Sequence, residues 1–153
     1  MANEIFRHLH RVTYSECAPG NHVYYARYLD VLEAARGEFF RWLGLSCRQL
    51  QEQDTLFPVV ECHLHYTAAA RYDDTLTVEL WPAAATKVRL NFAYRVLNQH
   101  GTVILEAETC HVCARLNERP KRLPEELRER LKPFFPTADL AAERDERERA
   151  AAA

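Results

Sequence analysis

The feature that most constrains the fold is one long helical stretch, about His22 to Leu43, which Gly44 ends. At 100° per residue, its charged residues form one stripe and its apolar residues occupy the opposite side. The stripe consists of Arg27, Asp30, Glu38 and Arg41, and the apolar side carries Tyr28, Leu29, Leu32, Phe39, Phe40 and Leu43. A helix with such a surface must be covered by other elements, which this chain has to supply as strands.

The strand-like segments flank this helix unequally. One precedes it, at Ile5–Tyr14, and four follow, at Phe57–Tyr66, Thr75–Trp81, Val88–Leu97 and Val103–Leu116. From Val88 to Leu97 apolar and polar residues alternate, which is the period of a strand with one buried face. The segment Asn98–Gly101 is typical of a hairpin turn. The sequence therefore predicts an α+β domain in the order strand, long helix and four antiparallel strands.

The length of 153 residues suits a single domain. After Pro120 the composition changes, and Pro124–Leu131 is typical of a short amphipathic helix with proline in its first turn. The remaining residues are mostly Ala, Glu, Arg and Asp without apolar periodicity. We predict one domain at 1–135 and a charged tail at 136–153 that is helical or disordered.

Composition excludes several classes of partner. A net charge of −2 argues against nucleic acid, and no apolar run suffices for membrane insertion. The N-terminus lacks the apolar core of a secretion signal, so we expect a cytoplasmic protein whose five cysteines are free thiols. Cys110 and Cys113 have CxxC spacing, but on a strand they face opposite sides. We expect no metal site and no cofactor.

A series of short motifs resembles the 4-hydroxybenzoyl-CoA thioesterase family, which includes acyl-CoA thioesterases of the Tol-Pal type. The motifs are Val12–Tyr14, Gly20–Leu29, Leu32–Arg36, Tyr66, Asp73–Asp74 and Arg119–Pro124. The resemblance implies a hotdog fold, in which a curved antiparallel sheet of about five strands wraps a long helix. It also implies hydrolysis of acyl-CoA or acyl carrier protein thioesters by a homodimer or homotetramer.

One departure from this family affects the expected mechanism. The turn before the helix normally has the pattern Asp-x-Asp, whose second Asp is the catalytic carboxylate. Here the turn is Glu16-Cys17-Ala18, and alanine can neither accept a proton nor attack a carbonyl. The thioesterases of enediyne polyketide biosynthesis, which the helix start also resembles, lack this acid as well. They rely on a helix arginine that aligns with Arg36.

Arg36 has two interpretations that the sequence leaves open. On the helical wheel it lies opposite the charged stripe, where burial would remove much of its hydration. Glu33, three residues earlier, is close enough to pair with it inside the fold. Alternatively, Arg36 polarises the thioester carbonyl or orients a water molecule.

The segment around the helix start supplies the other catalytic candidates. Glu16 is either a displaced general base or a turn residue that interacts favourably with the helix N-terminus. His22 is either a titrating group or a helix-capping or packing residue. Asn21 is the expected N-cap, and alternatively its amide holds a water molecule. The backbone N–H groups of the first turn are expected to stabilise an oxyanion, and they belong to Val23, Tyr24 and Tyr25.

Basic residues outside the helix are candidates for binding the phosphates of coenzyme A, namely Lys87, Arg89, Arg119, Lys121 and Arg122. Three functions compete. The first is hydrolysis of acyl thioesters, and the second, motivated by Ala18, is binding of acyl thioesters without catalysis. A hotdog dehydratase is the third, but its histidine and acidic partner cannot be placed here.

Overall fold

A five-stranded antiparallel sheet covers one long helix. The computed structural model describes residues 4–136 and residue 149. The strands are β1 (Phe6–Arg11), β2 (Cys17–Ala18), β3 (His22–Val23), β4 (Val59–Tyr66), β5 (Thr75–Ala85), β6 (Arg89–Leu97) and β7 (Val103–Val112). The helices are α1 (Arg27–Trp42), α2 (Cys47–Glu52) and α3 (Glu125–Leu131), with 3₁₀ turns at Tyr14–Glu16 and Lys132–Phe134. The predicted α+β architecture is confirmed. Apart from Pro136 and Arg149, the predicted charged tail lies outside the described residues.

The core lies between α1 and the inner face of the sheet, whose strand order is β1-β5-β6-β7-β4. The buried residues of α1 follow helical spacing and are Tyr28, Val31, Leu32, Ala35, Phe39 and Phe40. The Phe39 ring meets the Phe92 ring of β6 at 6.1 Å and the Phe134 ring at 5.0 Å, both edge to face. Leu29 was expected to point inward, but it is 42% exposed.

The long helix begins five residues later than the sequence predicts, at Arg27 instead of His22. The preceding residues form a tight hairpin, in which Ala18 of β2 pairs with His22 of β3. Gly20 and Asn21 turn the chain with φ angles of +95° and +57°. The N–H of Val23 then donates to the carbonyl of Ala70 at 2.8 Å. This contact between distant segments delays the helix, and local helical patterning gives no sign of it.

Helix α2 was not predicted, and three strands end three or four residues from their predicted ends. Strand β1 ends at Arg11 instead of Tyr14, which begins a 3₁₀ turn. Ser46 caps α2 by accepting from the Gln49 N–H at 3.2 Å, and the Gln49 side chain accepts from the Ser46 N–H. This capping box is a recognisable start signal. Strand β7 ends at Val112 instead of Leu116, because the Cys113 N–H leaves the ladder for the Val88 carbonyl. Strand β5 continues to Ala85, beyond the predicted end. Among the described residues, no helix has the length and apolar composition needed to cross a membrane.

The outer face of the sheet carries a row of charged and titratable residues that crosses every strand. In register, this charge row consists of Arg7 of β1, Glu79 of β5, Arg95 of β6, Glu106 of β7 and His65 of β4. The Glu79 carboxylate, 8% exposed, meets Arg7 Nη2 at 3.1 Å and Arg95 Nε at 2.8 Å. The buried Glu79 carboxylate is thus paired on both sides.

Candidate active site

Arg36 projects from α1 onto the inner face of the sheet and is partly buried. Its Nη1 donates to the hydroxyl of Tyr94 on β6 at 3.1 Å. The predicted pair with Glu33 is wrong: Glu33 is exposed, and no carboxylate of residues 4–136 lies within ion-pair distance of the guanidinium. The three-residue step offsets Glu33 from Arg36 by about 60° around the helix axis, and here the boundary between the exposed and the partly buried face of α1 falls between the two residues. The carboxylate stays hydrated there.

Three buried polar residues of the sheet continue from Arg36. The Tyr94 hydroxyl lies 2.6 Å from Thr109 Oγ1, and Thr109 Oγ1 lies 2.8 Å from His111 Nε2. His111 Nδ1 lies 3.0 Å from the carbonyl of Phe57. Tyr94, Thr109 and His111 are each at most 2% exposed. We call these residues, with Arg36 and the Phe57 carbonyl, the Arg36 chain.

The protonation states within the Arg36 chain follow from burial. Burial raises the pKa of the Tyr94 phenol, although the nearby Arg36 guanidinium acts in the opposite direction, so the phenol stays neutral at pH 7. Burial also lowers the pKa of His111 to about 4, the bond to Phe57 opposes this, and Arg36 adds to it. His111 is therefore neutral at pH 7. All the hydrogen-bonded partners of the Arg36 cation within the Arg36 chain are thus neutral.

Tyr94, Thr109 and His111 were not predicted as residues of the site. Their signal was a polar group on the inward-facing side of a strand that otherwise buries apolar residues. In β6 Tyr94 falls between Phe92 and Val96, and in β7 Thr109 and His111 occupy alternate positions on the same face. Each such group needs a hydrogen-bond partner when buried, so this pattern is a signal from which bonds among the inward polar residues could have been predicted.

Glu16 is held within its own turn. Its carboxylate accepts from the Thr13 N–H at 2.7 Å and the Thr13 hydroxyl at 2.9 Å, and His10 Nε2 lies 2.9 Å away. Burial raises its pKa, but the bonds from Thr13 and His10 outweigh burial, and the pKa lies below the usual range. Glu16 is therefore a turn residue, as one of its two interpretations predicted, and its carboxylate closes the 3₁₀ turn that precedes β2.

The predicted roles of the helix start need correction. Asn21 is not the N-cap, since it lies in the β2–β3 turn and the residue at the N-cap position is Ala26. His22 is an exposed residue of β3. The N–H groups of Val23 and Tyr24 do not form an oxyanion site, because they donate to the carbonyls of Ala70 and Glu16 at 2.8 and 2.9 Å. Sequence spacing cannot reveal these distant acceptors.

The oxyanion role of the Tyr25 N–H stays a prediction, and the Tyr25 side chain belongs to an exposed aromatic patch. Its ring lies 4.7 Å from that of Tyr24, and its carbonyl accepts from the Tyr66 hydroxyl at 2.9 Å. Tyr24 is 45%, Tyr25 61% and Tyr66 44% exposed. This patch joins the segment before α1 to β4.

The basic residues separate into two groups. Lys87, Arg89, Arg119 and Arg122 are exposed. Lys121 instead donates to the carbonyls of Gln53 and Asp54 and to the Thr55 hydroxyl at 3.4, 3.1 and 3.0 Å. Its ammonium stabilises the turn after α2, so the prediction of a free phosphate-binding lysine is wrong.

The sheet order and the single covered helix define a hotdog-fold protein. The chain belongs to the thioesterase-like superfamily, whose family model matches residues 12–131, and it shares the class activity of acyl-thioester hydrolysis. It is 32% identical over 128 residues to the acyl-CoA thioester hydrolase YbgC of Escherichia coli, covering 83% of this chain and 96% of that one. The resemblance to this family is confirmed.

Solved structures agree with this assignment. A hypothetical protein of Thermus thermophilus is 31% identical and superposes with a TM-score of 0.78, covering 84% of this chain and 98% of that one. The dynemicin thioesterase superposes with a TM-score of 0.82 at 20% identity, covering 88% of this chain and all of that one (100%). The second likeness concerns the fold alone.

Proposed function

We propose that this chain hydrolyses acyl thioesters of coenzyme A or of acyl carrier protein to free acid and thiol, with Arg36 polarising the carbonyl. The observation that carries this proposal is a partly buried guanidinium whose protein acceptor is the neutral hydroxyl of Tyr94. A guanidinium offers five N–H donors, and this contact uses one of them. The remaining N–H groups of the positively charged guanidinium can donate hydrogen bonds to the oxygen of a substrate carbonyl.

The chemistry of a thioester suits such a site. Water attacks the carbonyl carbon and gives up a proton while negative charge develops on the carbonyl oxygen. The carbon–sulfur bond then breaks, which releases the free acid and a thiolate that takes up the proton lost by the water. A thiol has a pKa of about 8.5, so the leaving group departs without help from a strong acid. Stabilisation of the oxyanion is the main requirement, and a preformed cation in a partly buried site supplies it. With Ala18 in place of a carboxylate, we expect turnover to be slow.

The exposed cations give the substrate's phosphates a place to bind. Lys87 and Arg122 lie on adjacent segments, because the Leu123 N–H donates to the Lys87 carbonyl at 2.9 Å. Arg89 begins β6 close to Lys87, and Arg119 bonds through its carbonyl to the Arg115 N–H. These cations suit a phosphorylated substrate. We place the reaction in the cytoplasm, where the five free thiols stay reduced.

A second function, binding of acyl thioesters without hydrolysis, is favoured by one observation. Residue 18 is alanine, and the nearby Glu16 carboxylate is engaged by Thr13 and His10. A site without a free base near the turn could hold an acyl thioester intact. Release of thiol from acetyl-, hexanoyl-, lauroyl- and benzoyl-CoA, and from the matching acyl carrier proteins, separates these functions.

Substitution of Arg36 tests its proposed role. Arg36→Met keeps the length and apolar stem but removes the charge, so we expect turnover to fall by about 10²-fold or more with the melting temperature maintained. Arg36→Lys keeps the charge without the planar fork, and a loss of similar size would show that geometry matters. Turnover and thermal unfolding are measured on the same preparations.

The matched control is Arg41→Met on the solvent side of the same helix, where Arg41 pairs with Glu38. This variant should retain wild-type turnover, since exposed ion pairs contribute little to stability. A folded Arg36→Met protein with full activity would end the proposed role of Arg36. Failure of the wild type to release thiol from any substrate would instead favour binding without catalysis.

A further inference from the structure

The Arg36 chain has a defined direction of hydrogen bonding. A carbonyl only accepts, so His111 Nδ1 must carry the proton in its contact with Phe57. A neutral His111 then presents an unprotonated Nε2, which accepts from the Thr109 hydroxyl. The Thr109 oxygen in turn accepts from Tyr94. Every hydrogen in the chain therefore points away from Arg36 towards the Phe57 carbonyl.

The direction of these hydrogen bonds determines which part of the Tyr94 hydroxyl faces Arg36. The Tyr94 hydrogen is committed to Thr109, so a lone pair of the phenol oxygen is left for Arg36 Nη1 at 3.1 Å. Consecutive bonds of one direction strengthen one another in a medium of low dielectric. The members come from α1, β6 and β7 and end on the segment before β4. The Arg36 chain thus ties the guanidinium to β6, the central strand of the sheet, and to its neighbour β7.

The absence of charge on the partners of Arg36 matters for oxyanion stabilisation as much as the geometry of the Arg36 chain does. A carboxylate would hold Arg36 equally well, but it would cancel much of the positive potential that a developing oxyanion needs. A phenol backed by a hydroxyl and a neutral imidazole fixes the guanidinium while leaving its charge available. Precise placement is valuable because a displacement of about 1 Å can cost roughly 10²-fold in rate.

We infer that Tyr94, Thr109 and His111 are positioning residues that hold the Arg36 guanidinium for the thioester carbonyl; this inference rests on the proposed function. None of the three needs to touch the substrate. Their effect passes through Arg36, so disturbing them should lower kcat with little effect on KM.

Thr109 offers the sharpest test, because Thr109→Val removes the hydroxyl with almost no change of shape. We expect kcat for the best acyl-CoA of the panel to fall about 10-fold or more, with KM within about twofold. Thr109→Ser restores the hydroxyl and should recover most of the activity. Thr77→Val on the outer face of β5 is the matched control and should change neither constant. Thermal unfolding of each variant identifies any that fails to fold.

The direction of hydrogen bonding in the Arg36 chain can be measured without an activity assay, from the position of the proton on the His111 ring. In protein labelled with ¹⁵N-histidine, the His111 ring should be neutral at pH 6 with its proton on Nδ1, and His111→Gln identifies its signals among the seven histidines. A proton on Nε2, a cationic ring at pH 6, or full activity of a folded Thr109→Val variant would overturn the inference and leave the proposed function intact. A wild type without thioesterase activity would contradict the proposed function itself, and the positioning role with it.

Discussion

The guanidinium of Arg36 keeps its charge available because its partner is a phenol. Arg95 of the same domain provides the contrast, since its Nε meets the buried Glu79 carboxylate at 2.8 Å. An arginine paired with a carboxylate presents little net charge to a ligand, whereas one bonded to Tyr94 presents nearly all of it. The two arginines therefore serve different purposes, and the identity of the acceptor decides which.

His111 should make the protein sensitive to acid. Its pKa is lowered to about 4 by burial, whereas in the unfolded chain it returns to about 6.5. Between these values the unfolded state binds more protons, so the stabilisation is present above pH 6.5 and is lost as pH falls towards 4. We expect His111 to account for about 2 kcal/mol of stability lost between pH 7 and pH 5.

Urea unfolding at both pH values, for wild type and His111→Gln, measures this contribution. Glutamine offers Thr109 an acceptor but does not titrate, so the variant should lose less stability on acidification. Carboxylates such as Glu16 titrate in both proteins and cancel in the difference. An equal loss of stability in the two proteins would contradict the prediction.

A carboxylate at position 18 should raise turnover. Ala18 is partly buried in β2 and pairs with His22 of β3, so an acidic side chain there would be partly solvated and would have a polar neighbour. A general base commonly contributes about 10²–10⁴-fold, and Ala18→Asp should recover part of that factor in thiol release. Ala18→Asn has the same shape without a base and should not. Equal rates for both variants would show that position 18 lies outside the reacting geometry.

At the level of elements, the sequence predicted what periodicity controls. The inward face of α1 and the alternation of β6 follow from repeats of 3.6 and 2 residues, and both are present in the fold. The start of α1 was not predictable in the same way. Val23 finds its acceptor at Ala70, 47 residues further along the chain, and such a backbone bond leaves no local pattern.

The site was predictable only in part for the same reason. Arg36 stood out because a charged residue lay on an apolar helix face, but the local partner proposed for it, Glu33, was wrong. Its actual partner, Tyr94, lies 58 residues away. The links from Tyr94 to Thr109 and His111 depend on strand register, which fixes which inward residues meet.

The structural role of Lys121 predicts a change in stability. Its ammonium joins the segment after β7 to the turn after α2 through three acceptors. Lys121→Met keeps the stem but leaves these groups without their donor, so we expect a loss of about 1–3 kcal/mol. The melting temperature should fall by about 2–4 °C per kcal/mol, with KM for acyl-CoA little changed.

The neighbouring Arg122→Met is the matched comparison. Arg122 is exposed, so its removal should leave the melting temperature unchanged and raise KM if it binds a phosphate. The reverse result, a raised KM for Lys121→Met at normal stability, would return Lys121 to the substrate site.

At the scale of the whole molecule, β4 predicts self-association. It is an edge strand with seven of its eight residues exposed, including Val59 and Val60 at 48% and 52%. A long exposed edge of this kind is normally paired or covered. We predict a homodimer at minimum, with a tetramer as the other expected assembly. The aromatic patch of Tyr24, Tyr25 and Tyr66 borders this edge and would be covered with it.

Light scattering at micromolar concentration measures the assembly directly. We expect at least twice the chain mass of 17.8 kDa, and Val60→Lys should shift the population towards monomer by placing a charge on the edge. Val103→Lys, which places the same charge on β7 instead of the edge strand, is the control and should leave the assembly unchanged. A wild-type mass of one chain would contradict the prediction.

The charge row on the outer face also makes misaligned strand pairings less stable than the native one. A slip of two residues keeps every apolar side chain on the correct face, so hydrophobic patterning alone does not reject it. In β1 such a slip would set Arg7 opposite Thr77 or Trp81, and in β6 it would set Ala93 or Leu97 opposite Glu79. A buried carboxylate stripped of its partners costs about 3–5 kcal/mol. The ion pairs of Glu79 therefore select the native strand register. A sheet misaligned by two residues would lose them and would be too unstable to persist.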